Sequence, residues 1–154
     1  MANTYTQIHI HVIIAVQNRE SLIKDEWQEE LYKYLTGIVQ GCGHKMIQVN
    51  GMPDHVHLFF GMRPNQSLAE LMRILKGDSS KWINKMRFSG YRFAWQSGYG
   101  AFSYAKSQIP KVAGYIQNQK EHHRKKTFTE EYTEFLVAFG VDFDERYILR
   151  SVLD

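Results

Sequence analysis

The run Asp54-His55-Val56-His57-Leu58-Phe59-Phe60 sets two imidazoles on either side of one apolar residue. In a strand, alternation puts His55 and His57 on one face and Val56 on the other. The two rings then stand about 7 Å apart along the strand, close enough to converge on one cation. Alone, so short a pair also fits two polar residues on a solvated sheet face. A second constellation lies in Tyr115-Ile116-Gln117-Asn118-Gln119-Lys120-Glu121-His122-His123. Tyr115 and Gln119 are four apart and share a helix face, with His122 near the same stripe. A tyrosine one turn from an amide is compatible with a nucleophile beside a metal ligand, and equally with an ordinary surface tyrosine. His9-Ile10-His11 is a second His-x-His, suited to sheet packing or a position near a ligand.

The surrounding pattern supplies the elements that must hold these groups. Residues 8–16 alternate and then become apolar, as a central strand does. Asp25 is placed to cap a helix with Leu31, Tyr34, Leu35, Ile38 and Val39 on one face, ended by Gly41-Cys42-Gly43. Residues 45–52 and 55–61 read as strands joined by a Pro53-Asp54 turn, which would bring the start of the third strand to a sheet edge. Ser67, with Glu70, caps a second helix that continues past Gly77 through Trp82, Ile83 and Met86. Residues 101–105 form a fourth strand. Pro110 opens a third helix running past Tyr115 toward His123, and a shorter helix spans 130–138. The order β-α-β-β-α-β-α implies an α+β, ferredoxin-like or RRM-like layer with helices on one face and a further C-terminal helix carrying Tyr115. Residues 1–126 would form this domain, with 127–154 a helical tail packed on it.

At 154 residues the chain suits a single domain. Its apolar runs are too short to span a bilayer and its start lacks the features of a signal peptide, so the expected location is cytoplasmic, without a membrane partner. One cysteine, Cys42, excludes an internal disulfide framework and a cysteine zinc cluster. The net charge of +3 hides a gradient: −2 over residues 1–62, +10 over 63–126 and −5 over 127–154. A basic middle segment suits a phosphate backbone. Arg63, Arg73, Lys76, Lys81, Lys85, Arg87 and Arg92 are candidates for phosphate contact, with hydroxyls from Ser79 and Ser80. Among Phe88, Tyr91, Phe93, Trp95 and Tyr99, the glycine-flanked Trp95 and Tyr99 are the best candidates for stacking on unpaired bases.

Several stretches, in order, resemble the single-tyrosine HUH transposases of bacterial insertion sequences, the insertion-sequence-200-like family. They are His11-Val12-Ile13-Ile14-Ala15-Val16-Gln17, Met52-Pro53-Asp54-His55-Val56-His57-Leu58, Leu75-Lys76-Gly77-Asp78-Ser79-Ser80, Trp95-Gln96-Ser97-Gly98-Tyr99-Gly100 and Tyr115-Ile116-Gln117-Asn118-Gln119. The resemblance implies that His55, His57 and Gln119 hold a divalent ion, Mg²⁺ or Mn²⁺, and that Tyr115 is the nucleophile. It implies a substrate of single-stranded DNA with hairpins at element ends, a 5′-phosphotyrosine intermediate, and a homodimer whose active site is shared between chains. His122 would contact DNA or accept a proton. Three alternatives stay open: a domesticated relative acting on chromosomal palindromes, a metal-dependent hydrolase with no covalent intermediate, and a non-catalytic nucleic-acid-binding module of ferredoxin-like shape.

Overall fold

The computed structural model describes residues 3–144. Strands β1 (His9–Ala15), β2 (Lys45–Met52), β3 (His55–Gly61) and β4 (Gly100–Tyr104) form one antiparallel sheet in the order β2-β3-β1-β4. Helix α1 (Asp25–Gly41) connects β1 to β2, and α2 (Leu68–Met86) connects β3 to β4. This is the expected ferredoxin-like topology. After β4 come α3 (Ile109–Gln117), α4 (Gln119–His122) and α5 (Phe128–Ala138).

The sheet is covered on both faces. Val12, Ile14, Val56, Leu58 and Phe60 pack with Trp27, Leu31 and Leu35 of α1 and Leu71, Leu75 and Ile83 of α2. The alternate residues of β1 and β3 point the other way. There Ile13 and Ala15 meet Phe128, Tyr132 and Leu136 of α5, while Phe59 meets Val112 and Ile116 of α3. The helices expected after β4, the one carrying Tyr115 and the shorter one that follows, therefore lie on the face opposite α1 and α2. The physical reason is visible in the two inner strands: Ile13-Ile14-Ala15 and Leu58-Phe59-Phe60 are apolar on both faces, so both faces need cover. β3 is also an inner strand, flanked by β2 and β1, and not the sheet edge that the Pro53-Asp54 turn suggested.

Local signals explain most helix ends. Ser67 Oγ accepts the Glu70 backbone N–H at 3.1 Å, and α2 runs unbroken through Gly77. Thr127 and Glu130 form a reciprocal capping box that starts α5. Lys24, not Asp25, is the N-cap of α1; Asp25 sits in the first turn, where its charge suits the helix dipole. The expected long third helix is broken at Asn118. The Asn50 side-chain amide on β2 donates to the carbonyls of Ile116 at 3.1 Å and Gln117 at 3.0 Å, taking acceptors a continuing helix would use.

Two glycines permit the close approaches that align these layers. A Cβ on Gly51 would lie 2.3 Å from the His55 carbonyl oxygen, and one on Gly100 would lie 2.7 Å from the Tyr132 hydroxyl. Backbone cannot yield as a side chain can. Gly51→Ala is expected to lower the melting temperature more than Gly100→Ala, whose overpacking cost should be about 1–3 kcal/mol. Thermal unfolding of both variants measures the difference, and the reverse order would count against a backbone clash at Gly51.

Candidate active site

β3 places His55 and His57 on the sheet face beneath α5, and both are fully buried. His55 Nδ1 lies 2.7 Å from Asp54 Oδ1. A carboxylate only accepts, so His55 carries a proton on Nδ1 and turns its Nε2 toward the cluster. That Nε2 is 3.3 Å from Gln119 Oε1 and 3.6 Å from Glu131 Oε1. His57 Nε2 is 3.2 Å from the same Glu131 oxygen, and its Nδ1 is 2.8 Å from His11 Nε2. The sequence-predicted His55, His57, Gln119 and Tyr115 thus come together in space.

The structure adds two groups that sequence reasoning left out. Glu131, on α5, is buried at 2% exposure. Its Oε1 meets His57 and also His123 Nε2 at 3.2 Å. Its Oε2 accepts from the Tyr115 hydroxyl and, at 3.0 Å, from the Gln119 amide. His123 Nδ1 is fixed by the Lys126 carbonyl at 2.9 Å, which turns Nε2 toward the carboxylate. A signal for Glu131 exists in the sequence: it falls between Phe128 and Phe135 on the apolar stripe of α5, where a carboxylate is out of place unless partnered.

Burial alone would raise the Glu131 pKa, but hydrogen bonds from His123 and His57 and the nearby positive charge reverse this and hold it well below the carboxylate range. Burial raises the Tyr115 hydroxyl, and the adjacent Glu131 carboxylate pushes it further up. Burial lowers His57 despite the opposing Glu131. At His123, burial is outweighed by Glu131 and the net shift is upward. The Glu131 carboxylate thus favours the protonated form of His123, while burial favours the neutral form of His57.

His55, His57, His123 and Glu131 each offer one ligand atom, all within 4.8 Å of one another. Ligands bonded to a cation at about 2.1 Å stand about 3.0–3.4 Å apart in octahedral or tetrahedral arrangements. The two 3.2 Å separations around Glu131 Oε1 fall within that spacing, and the third, to His55, is slightly longer at 3.6 Å. The donor chemistry therefore fits a divalent cation, with Gln119 Oε1 as a further neutral ligand. Beside Tyr115 opens a cleft of about 340 Å³, lined by His122, Lys111, Lys126 and Tyr104 among others. Its size lies in the range of ligand-binding clefts.

Tyr115 reaches the histidine–carboxylate cluster of its own chain. The Tyr115 and His57 ring centroids are 6.2 Å apart, because Val112 and Ile116 of α3 pack on Phe59 of β3. The helix that carries Tyr115 thus stands beside the histidines of the same chain. His122 lies against the Tyr115 ring, centroids 4.2 Å apart, while the hydroxyl turns to Glu131 instead.

Other predicted contacts divide by burial. Arg63, Arg73, Lys81 and Lys85 are exposed, Arg73 pairing with Glu70 at 2.6 Å. Lys81, Lys85, Arg87 and Arg92 share a basic hollow with the exposed Tyr91. Trp95 and Ser79 are corrections: both are buried, and the indole N–H donates to Ser79 Oγ at 2.8 Å. Neither presents a surface to a strand. Tyr99 is half-buried against the core, and Ser80 bonds the Gly77 carbonyl at 3.1 Å. Lys76 Nζ is spent on the carbonyls of Gln96 at 2.6 Å and Gly98 at 3.0 Å, so it braces the loop before β4. Tyr91 is the better-exposed ring for stacking. No helix among the described residues is long and apolar enough to cross a membrane.

The sequence model of the family described as "Transposase IS200 like" matches residues 4–119. The ISDra2 transposase TnpA of Deinococcus radiodurans is 26% identical over 121 residues, covering 75% of this chain and 86% of that protein. The transposase for insertion sequence element IS200 of Salmonella typhimurium is 22% identical over 130 residues, covering 80% and 84%. Among solved structures, a Deinococcus radiodurans R1 protein provisionally described as a transposase superposes with TM-score 0.61 at 23% identity, covering 77% of this chain and 95% of that one. A REP-associated tyrosine transposase bound to a REP hairpin gives TM-score 0.61 at 13% identity, covering 96% and 90%. The family match ends at Gln119, before His123 and Glu131.

Proposed function

The chain belongs to the IS200-like transposase family, and from that premise we propose that it cleaves and rejoins single-stranded DNA through a phosphotyrosine link formed by Tyr115. The observation that carries the proposal is the carboxylate of Glu131, which bridges the Tyr115 hydroxyl to the imidazoles of His57 and His123. Phenol has a pKa of about 10, and burial raises that of Tyr115, so attack requires a proton acceptor. Glu131 Oε2 is the acceptor in place. The phenolate attacks phosphorus, the 3′-hydroxyl departs, and a 5′-phosphotyrosine remains. A different 3′-hydroxyl can reverse the step, joining a new strand without a nucleotide cofactor.

His55, His57, His123 and Glu131, with Gln119 beside them, would hold the divalent metal. When bound, it would supply a Lewis acid for a non-bridging phosphate oxygen and positive charge to offset the carboxylate. An imidazole-rich set with one carboxylate suits Mn²⁺ better than Mg²⁺. Lys111 and Lys126 stand at the adjoining cleft, placed for the strand's phosphates. The exposed cations Arg63, Lys81, Lys85, Arg87 and Arg92, with Tyr91, are proposed to take the flanking DNA, a hairpin-bearing single strand. A homodimer is compatible with this scheme, but the site does not need a partner's tyrosine.

Incubating the protein with hairpin-bearing single strands and Mn²⁺ should yield an adduct that survives denaturation. Mixing Tyr115→Phe with His57→Ala should restore nothing, because each chain carries a whole site. An adduct from the mixture would show that protomers exchange the tyrosine helix. A second reading, action on dispersed chromosomal palindromes, is favoured by one observation. The structural neighbour spanning 96% of this chain, and thus the α5 region beyond the family match, is the REP-associated protein. Genomic neighbourhood separates the two readings, since a mobile copy sits between its own element ends.

A further inference from the structure

The two histidines of β3 are held differently on the side away from the donor cluster. His55 Nδ1 faces Asp54, an obligate acceptor. His57 Nδ1 faces Nε2 of another imidazole, His11, at 2.8 Å. His11 is fully buried on β1 and packed among Phe102, Tyr104 and Phe135. Its second nitrogen, Nδ1, is buried without a hydrogen-bond partner. One proton lies between His11 and His57, and either ring can own it.

In the first arrangement His11 carries its proton on Nε2 and donates to His57 Nδ1. His57 then carries its proton on Nε2 and donates to Glu131 Oε1, 3.2 Å away. Every N–H is satisfied, and the orphaned His11 Nδ1 is only a bare lone pair. In the second arrangement His57 Nδ1–H donates to His11 Nε2, and the His11 proton sits on Nδ1, buried with no acceptor. An unsatisfied buried donor is the costlier orphan. Only this second arrangement leaves the lone pair of His57 Nε2 free for a metal.

We propose that His11 is a positioning residue that sets the tautomer of His57. With no metal bound it donates its Nε2 proton to His57 Nδ1 and favours the non-ligating tautomer; when a metal binds, that proton passes to His57 Nδ1 and His11 Nε2 accepts the hydrogen bond instead. On that shift each ring loses the proton on Nε2 and gains one on Nδ1, so the proton count of the pair is unchanged. His55 differs in that Asp54 holds its Nδ1 proton in both arrangements. The inference rests on the metal reading of the site given above.

Selective ¹⁵N-histidine NMR reads the tautomers directly, and Mn²⁺ titration by electron paramagnetic resonance reads affinity without DNA. In metal-free wild type, His57 should be protonated on Nε2; with diamagnetic Mg²⁺ at saturation, His57 and His11 should both be protonated on Nδ1. His11→Phe, which keeps an aromatic ring but no acceptor, should weaken Mn²⁺ binding by about tenfold to a hundredfold. His11→Gln, whose amide oxygen can accept the Nδ1 proton, should recover most of it. Metal-free His57 already protonated on Nδ1, or wild-type Mn²⁺ affinity in a folded His11→Phe, overturns the inference alone. Wild type that binds no Mn²⁺ overturns the metal reading and the inference with it.

Discussion

Tyr115→Phe should abolish the covalent protein–DNA product and leave the fold and DNA binding intact. The substitution removes one oxygen, the nucleophile itself, so no residual route to a phosphotyrosine exists. The ring stays packed against His122 and His57. Glu131 Oε2 loses the hydroxyl but keeps the Gln119 amide at 3.0 Å. The lost hydrogen bond to a carboxylate should cost about 1.5–3 kcal/mol of stability. Gel analysis after denaturation measures the adduct, thermal unfolding the stability, and a fluorescence-anisotropy titration the binding. An adduct that persists in Tyr115→Phe would move the nucleophile elsewhere, and loss of DNA binding would mean the hydroxyl acts in recognition.

Glu131→Gln should be nearly as damaging, for a different reason. Both carboxylate oxygens face donors: His57 and His123 on one, Tyr115 and Gln119 on the other. An amide nitrogen in either place sets a donor against donors. Leaving a buried donor unsatisfied costs about 1–3 kcal/mol, so the melting temperature should fall clearly. Loss of the proton acceptor should slow adduct formation by about 10²–10⁴-fold, and Mn²⁺ affinity should drop as well. A rate equal to or above that of wild type would instead identify Glu131 as a plug that must leave before DNA enters. Single-turnover adduct formation, at an Mn²⁺ concentration saturating both proteins, distinguishes these outcomes.

The two roles of α5, covering the sheet and presenting Glu131, explain where sequence reasoning stopped. His55 and His57 were legible because strand alternation is a local rule, and β3 spans the residues its pattern implies. Tyr115 and Gln119 were legible through helical spacing and family resemblance, even though a break at Asn118 separates their helices. Glu131 was harder: Glu130, Glu131 and Glu134 look alike in an acidic segment. Only the rotation of α5, fixed by Phe128 and Tyr132 against β1 and β4, selects the one that turns inward. Trp95 shows the opposite error. Glycine near an aromatic suggested an open stacking platform, but tertiary packing drew the indole into the core and onto Ser79. The charge gradient located a basic region but could not separate Lys76, which braces backbone carbonyls, from the exposed Lys81 and Lys85.

His11 shows how far the site extends beyond its ligands. It occupies β1 opposite Phe59, diagonal to His57 in the register, and its role is visible only when the two rings are seen in contact. The same sheet therefore supplies both the pair proposed to face a metal and the group proposed to orient one of them, while the helices beyond β4 supply the tyrosine, the amide and the carboxylate.

The most direct measurement is mass-spectrometric mapping of the DNA-linked peptide. Wild-type protein is incubated with a hairpin-bearing single strand and Mn²⁺, digested with nuclease and protease, and searched for a nucleotide remnant. The expected result is a remnant attached through its 5′ phosphate to Tyr115. Attachment to another residue, or efficient strand cleavage with no covalent remnant, would contradict a tyrosine nucleophile assembled with His55, His57 and Glu131 in one chain.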